Sequence, residues 1–225
     1  MKMDSPKARY LYILLLVPLV YFAVFLHLDS LPFRVWDEAF LATHTYEMMH
    51  DHDYIVTHSF GRPEMWNSKP PLVIWAMVAS CKLLGYSELA IRLPNAIAGV
   101  VICLVIFLFS SSILKSSFKG FLSVLVLITS AGFIRLHVVR SGEYDAFLVL
   151  FVAIFCLSYF TMLEYAPSDK NYRRYWFLFT LAFICAILTK GVAALLVTPA
   201  LFIYTLWQKK LIALLRSREI YLYQS

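Results

Sequence analysis

Residues 29–71 read DSLPFRVWDEAFLATHTYEMMHDHDYIVTHSFGRPEMWNSKPP, a long polar and aromatic stretch set between two strongly apolar regions. Trp36-Asp37-Glu38 stands near its start, and Asn67-Ser68-Lys69-Pro70-Pro71 closes it and runs into Leu72. On its amino side the chain is short, basic and polar from Met1 to Arg9, then apolar from Tyr10 to Leu28. About twenty apolar residues cross a bilayer core, and no small-residue cleavage site follows, so this run reads as a retained first transmembrane helix. Composition agrees: 61% of residues are hydrophobic and 15% charged, with a mean hydropathy of +0.72, against about 25% charged in an ordinary soluble domain. A soluble globular protein is excluded, and residues 29–71 become a loop at a membrane face.

Leu72–Leu84 decides which face. It is apolar but shorter than a span and carries Lys82 near its end. If it lies at the interface, the later spans run over about Leu93–Leu114, Gly120–Val139, Ala146–Leu163, Tyr175–Thr189 and Gly191–Gln208, giving six with the first helix. With the amino terminus inside, more than half of the basic residues then fall on inner segments and most acids fall outside, as the positive-inside rule asks. A spanning Leu72–Leu84 would reverse that bias. The expected fold is therefore an all-α integral membrane protein: a cytoplasmic tail and first helix over 1–28, an outer first loop with interfacial helices over 29–92, five further helices over 93–208, and a cytoplasmic end over 209–225. Ala39–His50 reads as one interfacial helix with Phe40, Leu41, Met48 and Met49 as its apolar contacts, and 51–67 as irregular loop.

The excess of 20 Lys+Arg over 14 Asp+Glu, a net +6, reflects this orientation, and no nucleic-acid module is present in the sequence. Cys103, Cys156 and Cys185 fall within apolar runs, so neither a disulfide framework nor a CxxC metal site is indicated.

This topology puts Asp37, Glu38, Lys69, Arg140, Asp145 and Lys190 at one face. A carboxylate there could deprotonate an acceptor hydroxyl or amine; the plainer reading is an acid pair complementing a helix dipole. Lys69, held before two prolines that fix the backbone, suits a lipid phosphate, or it snorkels. Arg140 can take a phosphate in fork geometry with Asp145 orienting it, with Arg135 adding to a basic funnel, or the segment is a charged turn. Lys190 lies about 22 Å beyond Arg174 at roughly 1.5 Å per residue. That places it below the outer surface, where it would meet a lipid phosphate or a helix partner. His50, His52 and His58 could hold a divalent metal, although their spacing with Asp51 and Asp53 matches no zinc pattern.

Together these features resemble the GT-C superfamily, and within it the protein O-mannosyltransferase and lipid A aminoarabinose transferase branch. The resemblance rests on Asp37-Glu38, Lys69-Pro70-Pro71-Leu72, Glu88-Leu89-Ala90-Ile91-Arg92-Leu93-Pro94, Arg140 with Asp145, and Leu188-Thr189-Lys190-Gly191, in the family's order from Trp36 to Pro199. It implies a polytopic inverting glycosyltransferase that takes a hexose or pentose from a polyprenyl-phosphate sugar and passes it to lipid A, another glycolipid or a protein. That enzyme needs no nucleotide sugar and no further cofactor. In that picture Asp37 is the base or the acid that positions the acceptor, Glu38 supports it, Lys69 and Arg140 hold the donor phosphate with Lys190 as a further contact, and Asp145 shapes the site. A bacterial plasma membrane is the implied location. Family members continue well past Ser225, so the chain reads as an amino-terminal portion whose carboxy-terminal half is missing or supplied by a partner subunit.

Two other classes fit parts of the pattern. A lipid or solute transporter would use Lys190 and the outer charges as pathway residues, but the sequence shows no inverted repeat or pair of broken helices. A noncatalytic membrane subunit would lose assembly, and no transfer rate, when Asp37 is replaced.

Overall fold

The computed structural model describes residues 6–67, 69–134, 138–166 and 168–211. In chain order they form α1 (Pro6–Phe25), α2 (Asp37–Asp51), β1 (His58–Ser59), β2 (Arg62–Pro63), α3 (Leu72–Leu84), α4 (Glu88–Ile113), α5 (Ser117–Thr129), α6 (Ala131–Ile134), α7 (Asp145–Met162), α8 (Lys170–Lys190), a 3-10 segment (Gly191–Val197) and α9 (Thr198–Trp207). Among the described residues, four stretches are long and apolar enough to cross a membrane: Lys7–Phe25, Glu88–Ile113, Asp145–Met162 and Lys170–Trp207. The protein is an all-α integral membrane protein. It divides into two units, Met1–Leu150 and Phe151–Ser225.

In the first unit α2 begins at Asp37, two residues before the expected start, so both acids occupy its first turn, where unpaired amides favour carboxylates. Leu41, Ala42, Thr45 and Met48 are buried at helical spacing and pack with Val73, Ile74, Met77 and Val78 of α3. Phe40 does not join this packing and is 46% exposed. The thirteen residues of α3 reach only about 20 Å, short of a hydrocarbon core of about 30 Å, as a non-spanning helix requires. The loop before α3 is not wholly irregular. β1 and β2 pair antiparallel, His58 opposite Pro63 and Ser59 opposite Arg62, across Phe60 and Gly61, both with positive φ as a two-residue hairpin needs.

Two boundaries depart from expectation. α4 starts at Glu88 rather than Leu93, because the Ser87 hydroxyl accepts from the Ala90 amide at 3.3 Å and caps the helix. Arg92 and Asn95 therefore lie inside α4, and a spacing of three puts them on one face. The expected span Gly120–Val139 is broken: α5 ends at Thr129 and Ser130 is extended. The Thr129 hydroxyl donates back to the Leu125 and Val126 carbonyls, a local alternative that loosens the last helical turn. α5 crosses α4 at Gly120, where a Cβ would stand 2.9 Å from the Phe107 carbonyl, so only the missing side chain allows that approach.

In the second unit α8 begins at Lys170, capped by Asp169, whose carboxylate accepts the Asn171 amide at 2.7 Å. This is five residues before the expected Tyr175. Its 21 residues extend about 31 Å, comparable to a hydrocarbon core of about 30 Å. The chain then folds back: Gly191 takes a positive φ, and Leu201 and Tyr204 of α9 return to pack with Tyr159, Met162, Tyr172 and Trp176. The Tyr159 and Thr205 hydroxyls hydrogen-bond across this contact. The apolar stretch Lys170–Trp207 is thus two helices joined by the 3-10 segment Gly191–Val197.

Candidate functional site

The site is built on a buried ion pair. Glu38 is completely buried and Arg92 3% exposed. The Glu38 Oε1 accepts from Arg92 Nε at 2.8 Å and from the Gly142 amide at 2.7 Å. Its Oε2 accepts from Arg92 Nη2 at 2.9 Å and from the Arg34 amide at 2.7 Å. Arg92 also donates to the carbonyls of Leu28, Leu31 and Pro32 at 2.8–3.0 Å, so each guanidinium N–H has an acceptor. Burial alone pushes the Glu38 carboxyl up; the hydrogen bonds from Arg92, Arg34 and Gly142, with the Arg92 charge, overcome this and hold it below the usual carboxylate value. This clasp ties together the end of α1, the 31–34 turn, α2, α4 and the segment before α7. From the same face of α4, Asn95 Nδ2 donates to the Ser141 and Glu143 carbonyls at 2.5 and 2.7 Å.

The clasp fixes the first turn of α2 and leaves Asp37 on the other side of it. Trp36, just before, is held at φ 90°, a costly conformation for a bulky residue that persists only when its surroundings impose it. Asp37 is half-buried and lines a groove of about 340 Å³ with Phe40, Leu41 and His44 of α2, Trp36, the loop residues Glu64, Trp66, Asn67 and Lys69, and Tyr144. Asp37, Leu41 and His44 stand at helical spacing, so one face of α2 forms a wall. Opposite, the Lys69 amide donates to Asn67 Oδ1 at 3.1 Å, and Asn67 Nδ2 donates to Thr57 Oγ1 at 3.0 Å. These bonds and the two prolines set the Lys69 ammonium 4.7 Å from the centre of the Tyr144 ring, cation–π range. Burial pushes the Tyr144 phenol up to about 12, with the Asn67 hydrogen bond lowering it and the Asp37 charge raising it. It therefore stays protonated, a donor within electrostatic reach of Asp37.

The structure thus brings Asp37 and Lys69 into one groove, while Glu38 and Arg140, in the same unit, make their hydrogen bonds elsewhere. Glu38 is saturated by donors away from the groove, so the acid pair splits into one half-buried groove carboxylate and one structural carboxylate. Arg140 does not line the groove: its Nη2 donates to the Leu26 and His27 carbonyls at 2.5 and 3.3 Å, holding the end of α1. Asp145 opens α7 half-buried, and its neighbour Tyr144 lines the groove. Lys190 closes α8 in the second unit. Arg135 lies outside the described residues. His50 is exposed and stacks on Tyr46, His52 caps the carboxyl end of α2, and His58 lies in β1. Among the described residues no three His, Cys, Asp or Glu side chains gather to hold a metal. Sequence reasoning missed His44, Glu64, Trp66 and Tyr144. The seven-residue step from Asp37 to His44 was the one available signal.

A family model described as dolichyl-phosphate-mannose-protein mannosyltransferase matches residues 68–225. An uncharacterized protein of Aquifex aeolicus is 31% identical over 179 residues, 76% of this chain and 33% of that protein. The undecaprenyl phosphate-alpha-4-amino-4-deoxy-L-arabinose arabinosyl transferase of Aeromonas hydrophila is 29% identical over 199 residues, 87% of this chain and 35% of the relative. The crystal structure of ArnT from Cupriavidus metallidurans bound to undecaprenyl phosphate superposes with a TM-score of 0.78 at 20% identity, covering 92% of this chain and 37% of that one. At that identity the likeness is one of fold. The chain spans about a third of the length of these relatives. It belongs to the dolichyl-phosphate-mannose-protein mannosyltransferase family and shares the fold of the ArnT structure.

Proposed function

We propose that this chain is the part of a membrane glycosyltransferase that binds a polyprenyl-phosphate sugar and starts its transfer to a glycolipid or protein acceptor. The observation that carries the reading is one groove lined by both Asp37 and Lys69. Lys69 pairs with the lipid phosphate, and Asp37 takes the proton from the acceptor hydroxyl or amine as it attacks the anomeric carbon. The bond from that carbon to the phosphate oxygen breaks with its electron pair going to the phosphate, where the Lys69 charge stabilises it. Trp36 and Trp66, 74% and 92% exposed, offer aromatic faces to a sugar ring. Because the leaving group is already a phosphate, the reaction needs no nucleotide sugar and no further cofactor.

The carrier named for the Aeromonas relative, undecaprenyl phosphate, supports a polyprenyl donor in a bacterial inner membrane. The charge bias supports a cytoplasmic amino terminus and an outward-facing groove. The test is transfer from a labelled polyprenyl-phosphate sugar by the native protein and by Asp37→Asn at equal expression. Loss of a general base costs about 10²–10⁴-fold in rate; equal rates would remove Asp37 from the chemistry.

A further inference from the structure

Tyr144 is 4% exposed, and one face of its ring meets the Lys69 ammonium 4.7 Å from the ring centre. The residue clusters with Leu41 of α2, Val73 of α3 and Ile91 of α4 in the core. Its backbone is pinned on either side: the Gly142 amide donates to Glu38 Oε1, and the Ser141 and Glu143 carbonyls accept from Asn95 Nδ2. The phenol shares a hydrogen bond with the Asn67 side chain, whose Oδ1 accepts the Lys69 amide at 3.1 Å. Tyr144 therefore grips the turn before α3 at two points, Asn67 through its hydroxyl and the Lys69 ammonium through its ring face.

A lysine is a point charge on a flexible four-carbon stem with three donors, and ordering such a side chain on binding costs affinity. The Lys69 ammonium already stands on a fixed ring face, so little of that ordering is left for a ligand to impose, and an ammonium on one ring face keeps its opposite side for an anion. We propose that Tyr144 is a positioning residue for Lys69, its ring face holding the ammonium where the donor phosphate binds. This rests on the lipid-phosphate reading of Lys69 and adds to it the residue that fixes the lysine. It also joins the buried clasp to the groove: Glu38 and Asn95 set the backbone that carries Tyr144, and Tyr144 sets Lys69.

Two measurements on the full chain in lipid nanodiscs test this. Carbon-13 dimethylation of the lysines, which keeps their charge, gives each an NMR signal, that of Lys69 being assigned by its loss in Lys69→Arg. The Tyr144 ring current moves the Lys69 signal upfield; the shift persists in Tyr144→Phe and disappears in Tyr144→Leu. The second measurement is binding of undecaprenyl phosphate to unmodified protein. Tyr144→Leu weakens it about threefold to tenfold, the cost of ordering one long side chain, whereas Tyr144→Phe stays close to the native affinity. Ring-fluorinated phenylalanines in place of Tyr144 lower the affinity stepwise as the ring face loses its negative potential, and they keep the test open if Tyr144→Leu fails to fold. In a Lys69→Met background Tyr144→Leu has no further effect. An unshifted Lys69 signal in the native protein overturns the proposal. So does affinity that ignores ring fluorination, a Tyr144→Leu loss that persists undiminished without Lys69, or tighter binding in Tyr144→Leu, which would make the ring a competitor of the phosphate. Native affinity in Lys69→Met would refute the lipid-phosphate reading instead, while the Lys69 signal still decides whether Tyr144 holds the lysine.

Discussion

Adjacent carboxylates Asp37 and Glu38 should respond in opposite ways to the same substitution. Glu38→Gln keeps the shape of the side chain but replaces one oxygen by an NH2 group, and both Glu38 oxygens accept two N–H donors each. Whichever way the amide is turned, its NH2 meets an Arg92 N–H and a backbone amide, while Arg92 loses its buried counter-charge. Breaking a buried ion pair by removing one partner costs about 3–5 kcal/mol. At about 2–4 °C per kcal/mol for a chain of this size, thermal unfolding in detergent should fall by about 6–20 °C. Asp37→Asn removes a half-buried carboxylate from a groove wall and should shift unfolding by only about 0.5 kcal/mol while abolishing transfer. Circular dichroism melts of both variants against the native protein decide the matter. A Glu38→Gln melt indistinguishable from that of Asp37→Asn would refute the clasp. The pH dependence has the same origin: the Glu38 carboxyl is held below its ordinary value of 4.5. Its stabilising contribution is complete above that value and is lost as pH falls through the depressed one.

Three further outcomes follow from the packing. Gly142→Ala would place a Cβ 2.5 Å from Ile91 Cγ2, and overpacking of about 1–3 kcal/mol should lower the melt and disturb the amide that Glu38 accepts. Asn95→Leu removes the donors to Ser141 and Glu143; each carbonyl left unpaired costs about 1–3 kcal/mol, and limited proteolysis should cut within the segment before α7. His44 resists protonation below its ordinary value of 6.5, so stability is complete above that pH and declines as pH falls beneath it; His44→Phe should flatten this part of a pH–melt profile.

The helices were legible because their signals are local. The apolar runs, the Asp37-Glu38 start of α2 and the Pro70-Pro71 start of α3 all lie within a few residues of the boundaries they set. Errors came where a side chain redirected the backbone: Ser87 and Asp169 capped α4 and α8 early, and Thr129 with Ser130 broke an apolar run that hydropathy alone reads as continuous. The site was half legible. Asp37 and Lys69 stood out by type and context, but the partnership of Glu38 with Arg92 joins residues far apart in sequence and leaves no periodic trace. A guanidinium suits a phosphate as well as a row of carbonyls, and only the fold showed that the carbonyls after α1 lie beside Arg140.

The most direct test of the groove is amine-reactive footprinting of Lys69, read by mass spectrometry with Lys82 as internal control. Lys82 lies on α3, bonded to the Tyr54 hydroxyl, and does not line the groove. If Lys69 holds the lipid phosphate beside Asp37, added undecaprenyl phosphate lowers labelling of Lys69 severalfold and leaves Lys82 unchanged. Labelling of Lys69 that stays constant at saturating lipid, or falls equally at both lysines, would contradict the account.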